Sequence, residues 1–203
     1  MPNHQARLVA FTVFNRDPHP EIGPHLMYLG LESSNHLPHT NWPDNCTAAH
    51  VGEACVEEPL GSDSRFTQMR VSGTPRAGLT LDFLSLVHVD AFSHMSKGFV
   101  WLPFPPSAHD ILNADSRATL DAGLAILREN LEHGDGRLAF ELVNREAFTA
   151  AQLRRVYEAV LGVTIDQSNF RKRLDRWADA GLVRELSRRT PTTTRPAQLY
   201  ACV

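Results

Sequence analysis

The chain has 203 residues, of which 42% are hydrophobic and 21% charged, and its formal net charge is −3. These proportions are ordinary for a globular protein and exclude an intrinsically disordered chain. No run of about 18 apolar residues occurs, which excludes a membrane-spanning helix, and the amino terminus lacks the basic-then-apolar layout of a secretory signal. Three cysteines in no zinc-finger spacing lead us to expect free thiols in a reducing cytoplasm.

The first 140 residues alternate short apolar segments with polar, proline-containing loops. Runs of apolar and aromatic residues predict five strands, at 7–14, 25–32, 66–71, 79–89 and 99–104. Segments 15–24 and 33–45 are broken by prolines and are predicted to be loops.

Two helices are predicted in the same region. The first is a short helix over 47–58, with Thr47 as its N-cap and Pro59 as its stop. The second covers 115–131, where leucines recur at helical spacing and form either a core face or a dimer seam. Several strands with one or two helices favour an α/β sandwich of about 135 residues.

The last quarter of the chain differs from the rest in charge. Residues 151–203 hold ten Lys or Arg against five Asp or Glu, so this segment carries +5 and the first 150 residues carry −8. A basic segment in an otherwise acidic chain favours contact with a polyanion. The two parts of the chain therefore have different tasks.

The basic segment begins with a helix that has a full set of start signals. Thr149 is an N-cap, Gln152 completes a capping box, and Phe148 with Leu153 forms a hydrophobic staple. The helix is predicted to end at Gly162.

A second helix follows after a short turn. Asp166 is its predicted N-cap, it continues to about Ala180, and Gly181 with Leu182 forms a Schellman ending. Segments 182–186 and 198–203 are predicted strands joined by a polar basic loop. A helix, tight turn, helix and β-hairpin constitute a winged helix-turn-helix.

The outer face of the second helix is polar and basic, which suits the major groove of DNA. Three arginines in the loop suit phosphates or the minor groove. The predicted base-reading residues are Gln167, Ser168 and Asn169. The predicted cationic DNA contacts are Arg171, Lys172, Arg173, Arg176, Arg188, Arg189 and Arg195. Two alternatives remain, namely that the basic stripe is only a solvated helix face or that the module binds another protein.

Two segments, FTAAQLRRVYEAVLGVTIDQSNFRKRL (148–174) and TRPAQLY (194–200), carry a family resemblance. They resemble the C-terminal winged helix of Nudix-related transcriptional regulators, the NrtR-like family of NAD-metabolism repressors. The shared features include the Tyr157-Glu158-Ala159, Asn169-Phe170-Arg171 and Arg195-Pro196-Ala197 triplets. The resemblance is closest over 138–203 and weakens toward the amino terminus.

The resemblance implies that the front domain is Nudix-like, a fold whose hydrolases hold magnesium on a helix bearing several glutamates. The segment NWPDNCTAAHVGEACVEEPLG (41–61) retains only a remnant of that box. Glu57 and Glu58 align with its paired glutamates and are weak metal candidates, whereas the preceding arginine and glutamate fall on Glu53 and Ala54. We therefore expect no catalytic residues, no metal and no cofactor, with a Nudix-type hydrolase of nucleoside diphosphate derivatives as the alternative.

The histidines before residue 51 offer one further metal hypothesis. Cys46 and His50 are four residues apart and could share a helix face, but no second pair matches them. Scattered loop histidines are the preferred interpretation.

These features together predict an α+β protein. A degenerate Nudix-like α/β/α sandwich at 1–140 precedes a winged helix-turn-helix at 141–203. The expected function is that of a cytoplasmic repressor, a homodimer on a palindromic operator in double-stranded DNA. The resemblance implies a small effector of the ADP-ribose type for the front domain.

Overall fold

The computed structural model describes residues 4–14, 24–32, 34–42, 46–62, 64–74, 78–89, 96–106, 112–190 and 196–203. The described chain forms two compact units, the first from residues 4–14 and 25–126 and the second from residue 24 and residues 127–203. None of the helices in the described ranges is long and apolar enough to cross a membrane.

The first unit contains a six-stranded mixed sheet. Its strands are β1 (Gln5–Phe14), β2 (His25–Leu31), β3 (His39–Asn41), β4 (Phe66–Thr74), β5 (Gly78–Leu86) and β6 (Phe99–Pro103). The strand order is β4-β5-β1-β2-β6, and β3 pairs with β1 beside β2. Strands β1 and β5 are parallel, whereas the other pairs are antiparallel. All five predicted strands are present.

A helix covers each face of this sheet. Helix α1 (Ala48–Leu60) packs with Ala6, Leu8 and Ala10 of β1 in one apolar cluster. A side chain at Gly123 of helix α2 (Ala114–Glu132) would instead meet Val9 and Phe11, the alternate residues of the same strand. Because successive strand residues point to opposite faces, the unit is an α/β/α sandwich.

The leucines of α2 form a core face. Leu120, Leu124, Leu127 and Leu131 are all at most 4% exposed within the single chain. The first two lie in the first unit and the last two in the second. They are therefore committed to the cores of the monomer and are not available as a dimer seam.

An ion network centred on a buried carboxylate joins strands β1, β4 and β5 to helix α2. Asp82 of β5 is fully buried and pairs with Arg7 of β1 and Arg70 of β4, each at 2.8 Å. Arg7 also pairs with Asp115, and Arg70 donates to Thr119 Oγ1 at 3.0 Å. A buried carboxylate needs such partners because its isolated charge would be costly.

Two local predictions in this unit are wrong. Pro59 does not stop the first helix at Glu58, because α1 continues to Leu60 with Pro59 inside its last turn and ends at Gly61 (φ 88°). Segment 33–45 is not wholly a loop, because β3 pairs with Gln5–Arg7 of β1. The N-cap prediction is confirmed, since Thr47 Oγ1 accepts from His50 N at 3.3 Å.

The second unit contains the predicted winged helix. The unit begins with a short 3-10 helix (Arg137–Leu142) and strand β7 (Phe148–Thr149). Helices α3 (Ala150–Leu161) and α4 (Gln167–Asp179) follow. The last two elements are strands β8 (Val183–Arg189) and β9 (Gln198–Cys202). The three strands form a sheet in the order β7-β9-β8.

Local signals define the ends of both long helices here. Thr149 and Gln152 form the predicted capping box at the start of α3. Asp166 caps α4 by accepting from Asn169 N at 2.9 Å. After α4, Leu182 N donates to Trp177 O at 2.9 Å and Gly181 lies at φ 70°, which confirms the Schellman ending.

Candidate nucleic-acid interface

The turn between α3 and α4 is held by a pair of charged side chains. Arg154 Nη1 donates to Ile165 O at 2.9 Å, and Glu158 Oε1 accepts from Ile165 N at 3.0 Å. Arg154 and Glu158 also pair with each other at 3.5 Å, and both are mostly buried. These contacts fix where α4 begins. The i,i+4 spacing of the pair is visible in the sequence, but its contact with Ile165 is not.

Aromatic residues anchor the inner face of α4. Phe170 and Trp177 are buried and contact the ring of Tyr157 on α3, with ring centroids 5.4 and 5.9 Å apart. Trp177 Nε1 also donates to Asp135 O at 3.0 Å. Burial raises the pKa of Tyr157 to about 12, so its hydroxyl remains neutral at physiological pH. This packing sets the rotation of α4 and hence which residues it presents outward.

The outer face of α4 carries most of the predicted DNA contacts. Its exposed residues are Gln167, Ser168, Asn169, Arg171, Lys172, Asp175, Arg176 and Asp179. Arg176 Nε donates a long hydrogen bond to Lys172 O, at 3.4 Å. The first turn thus presents amide and hydroxyl groups, and the following turns present three cations together with the carboxylates of Asp175 and Asp179.

Arg173 differs from the other cations of α4. Its Nη2 donates to Leu131 O at 2.8 Å, and its guanidinium lies 4.8 Å from the Tyr157 ring centroid and 5.5 Å from that of Trp177. Its hydrogen-bonding capacity is thus partly used within the unit, at the carboxyl end of α2. Arg173 thus has a packing contact that is not seen for Arg171 or Lys172 within the described residues, and its predicted phosphate contact stays a prediction.

The wing is more regular than predicted. Arg188 and Arg189 belong to strand β8 and not to a loop, because β8 continues to Arg189, which pairs with Gln198. Gln198 Nε2 further donates to Leu186 O at 2.6 Å, and Thr190 N donates to Ala197 O at 3.0 Å. Both arginines are exposed. Arg195 lies outside the described residues.

Strand β8, at the edge of the wing sheet, contacts α4. Tyr200 of β9 is buried, and its hydroxyl donates to Glu185 Oε1 at 3.4 Å. Burial and the Glu185 carboxylate raise the pKa of Tyr200, and nearby Arg171 opposes this shift. Arg171 is thus within electrostatic range of Tyr200 in the wing.

The Nudix-box remnant of the first unit has a different character. Glu53, Glu57 and Glu58 are all exposed on α1. Among the residues that the structure describes, no group of three His, Cys, Asp or Glu side chains is arranged to hold a metal ion. Cys46 is half-buried and His50 is exposed. Magnesium prefers several carboxylate oxygens converging at one point, which this helix does not supply within the described part of the chain.

The structure thus combines an α/β/α sandwich in the first unit with a winged helix-turn-helix in the second. Residues 139–202 match the model of the NrtR DNA-binding winged helix domain, which identifies this segment as a domain of that type. The resemblance to Nudix-related regulators is thereby confirmed.

Solved structures share the fold of the whole chain. NrtR of Shewanella oneidensis in complex with a 27mer DNA has a TM-score of 0.73 and 19% identity, covering 98% of this chain and 93% of that one. NrtR of the same organism in a second structure has a TM-score of 0.74 and 18% identity, covering 99% of this chain and 94% of that one. A MutT/nudix family protein of Enterococcus faecalis has a TM-score of 0.70 and 16% identity, covering 100% of this chain and 88% of that one. No curated protein sequence matches the chain.

Proposed function

We propose that this chain is a transcriptional repressor that binds double-stranded DNA through its winged helix. The observation that carries the proposal is the outer face of α4, where polar residues in the first turn precede exposed cations. Residues 141–203 form the DNA-binding domain and residues 1–140 the sensor domain. The NrtR of S. oneidensis is a relative in fold whose structure contains DNA, which supports this assignment.

The residues divide into two roles. Gln167, Ser168 and Asn169 read base edges, because amide and hydroxyl groups at the start of a recognition helix reach the major groove. The cations bind phosphates and supply affinity that does not depend on sequence. They are Arg171, Lys172, Arg176, Arg188, Arg189 and Arg195.

We further propose that the protein acts as a homodimer on a palindromic operator. A single helix of 13 residues contacts few base pairs, and twofold symmetry doubles the recognised site. A small effector, by resemblance of the ADP-ribose type, binds the first domain and favours one arrangement of the two winged helices. A cytoplasmic location agrees with access to DNA.

The first domain is proposed to have no hydrolase activity. The exposed glutamates of α1 retain only part of the carboxylate set that a Nudix hydrolase needs. Binding without turnover would let the domain respond to the effector concentration without consuming the effector.

The double variant Lys172→Ala/Arg176→Ala tests the DNA assignment. We expect its affinity for a duplex from the protein's own promoter region to fall, and the slope of log K against log salt to decrease in magnitude by about 2, because each lost phosphate contact removes about 0.9. Fluorescence anisotropy over a salt series measures both quantities.

The matched control is Lys97→Ala/Arg117→Ala, which removes the same charge from exposed positions of the first unit. This control should leave the slope unchanged. An unaltered slope in the α4 variant, or an equal loss in the control, would refute DNA binding through α4.

A further inference from the structure

A basic groove in the second unit lies apart from the outer face of α4. Its volume is about 530 Å³, and its lining includes Arg145, Arg184 and Arg188, with Ala201 and Cys202 of strand β9. Glu146 is the carboxylate in this lining. The proposed function uses only Arg188 of these residues.

The fold brings arginines to both sides of β9. Cys202 N donates to Arg145 O at 2.8 Å, so Arg145 flanks one edge of the strand. Arg184 pairs in register with Ala201 across the other edge. Strand β8 carries Arg188 four residues after Arg184, and both line the same groove. Arg145 is distant in sequence from Arg184 and Arg188, and the backbone contacts of β9 bring it to them.

Two of the three guanidinium groups are available to a ligand. Arg184 and Arg188 are exposed, and neither pairs with a carboxylate in the part of the chain that the structure describes. Arg145 pairs with Glu141, whose side chain is not among the groove residues. Guanidinium groups match phosphate oxygens in geometry and charge. The chemistry of the groove therefore suits phosphate groups.

We propose that this groove binds the phosphate backbone of duplex DNA beyond the segment that α4 contacts. The proposal rests on the proposed function. Arg188 connects the two surfaces, because it belongs both to the wing contacts and to the groove. Exposed arginines spread along a groove suit successive phosphates of a strand, since each contact is weak and affinity comes from their number. Arg184 thus adds affinity to that of Arg188 without adding sequence preference.

The variant Arg184→Ala tests the proposal. For a duplex of about 30 base pairs from the promoter region, we expect the salt slope to decrease in magnitude by about 1, with a several-fold loss of affinity that is the same for scrambled sequences. Arg117→Ala, which removes an exposed arginine of the first unit, is the matched control and should change neither quantity.

The variant Glu146→Gln provides a test of opposite sign. Removing this carboxylate from the groove should strengthen duplex binding, because it relieves repulsion of the phosphates. Since one variant is expected to weaken binding and the other to strengthen it, general damage to the fold cannot produce both results. Unchanged binding in both variants would overturn the proposal.

Two further outcomes distinguish a failure of the groove proposal from a failure of the proposed DNA binding through α4. If Lys172→Ala/Arg176→Ala lowers the salt slope and Arg184→Ala does not, the groove proposal fails and the α4 assignment stands.

Titration with inorganic pyrophosphate distinguishes a groove that binds the DNA backbone from one that binds a free phosphate ligand. Saturable pyrophosphate binding that Arg184→Ala abolishes, with no effect on duplex binding, would assign the groove to a free phosphate ligand and overturn the DNA assignment.

Discussion

Helices α1 and α4 have the same length and the same kind of start, yet they present opposite surfaces. Each has 13 residues and an N-cap side chain that accepts a backbone N–H, from Thr47 in α1 and Asp166 in α4. The exposed side of α1 carries glutamates at 53, 57 and 58, whereas that of α4 carries cations at 171, 172 and 176 together with aspartates at 175 and 179. The difference teaches that a capped amphipathic helix is only a scaffold, and that the chemistry of its outer face suggests its use.

The two regions also differ in how tightly their surroundings determine them. The orientation of α4 depends on aromatic packing, on the Arg154–Glu158 pair and on Gly136, whose backbone is left-handed. Few other residues could replace the side chains or the glycine at these positions. The glutamates of α1 have solvent around them. We therefore expect substitutions around α4 to have large effects and those on the outer face of α1 to have small ones.

The largest effect is expected for Gly136→Ala in the second unit. Gly136 has φ 73°, and a Cβ there would lie 2.2 Å from Tyr157 Oη and 2.9 Å from the Trp177 ring. Left-handed strain and overpacking together should destabilise the unit by about 3 kcal/mol. Urea unfolding followed by tryptophan fluorescence measures this change.

The matched control for that variant is Gly162→Ala. Gly162 has nearly the same φ, 71°, but no atom lies within 4 Å of the added Cβ. It should cost only the conformational part, about 1–2 kcal/mol. Equal costs for the two variants would show that the Tyr157–Trp177 packing does not constrain the unit.

An intermediate effect is expected for Glu158→Ala. This variant removes the acceptor of Ile165 N–H and the partner of Arg154, at a cost of about 1–2 kcal/mol. Because the start of α4 then loses its anchor, DNA affinity should fall even though no proposed DNA contact has changed. Glu158→Gln keeps an oxygen for Ile165 and should retain most of that affinity. Full affinity in Glu158→Ala would exclude the pair as a positioning device.

The smallest effect is expected for Glu57→Gln/Glu58→Gln on α1. Both side chains are exposed, so unfolding free energy should change by less than about 0.5 kcal/mol. Magnesium-dependent turnover of ADP-ribose should be absent in the unaltered protein and in the variant. Turnover that the unaltered protein performs and the variant loses would reverse the contrast between the two helices and establish a hydrolase.

Much of the second unit was predictable because its signals are local. The capping box at Thr149, the cap at Asp166 and the glycine at 181 each act within one turn of their helix, so sequence spacing alone defines the helix ends. The same applies to the apolar faces of α3 and α4. The positions of the exposed cations on α4 follow directly from helical periodicity.

Other features depend on partners far away in the chain and were missed. Strand β3 exists because β1 pairs with it, and β8 continues through Arg189 because Gln198 lies opposite. Arg173 has the same helical position as a solvated cation, but the carbonyl of Leu131 and two aromatic rings engage it. No spacing rule identifies such contacts, since sheet edges and helix ends meet only after folding.

The sequence by itself determined the identities and boundaries of most helices and strands, together with the basic charge of the last quarter, because caps, glycines and periodicity act over a few residues. The tertiary structure alone decided which of those charges remain free for a ligand. Whether a cation is free depends on the carbonyls, carboxylates and rings that distant segments bring to it, as the opposite environments of Arg173 and Arg184 illustrate.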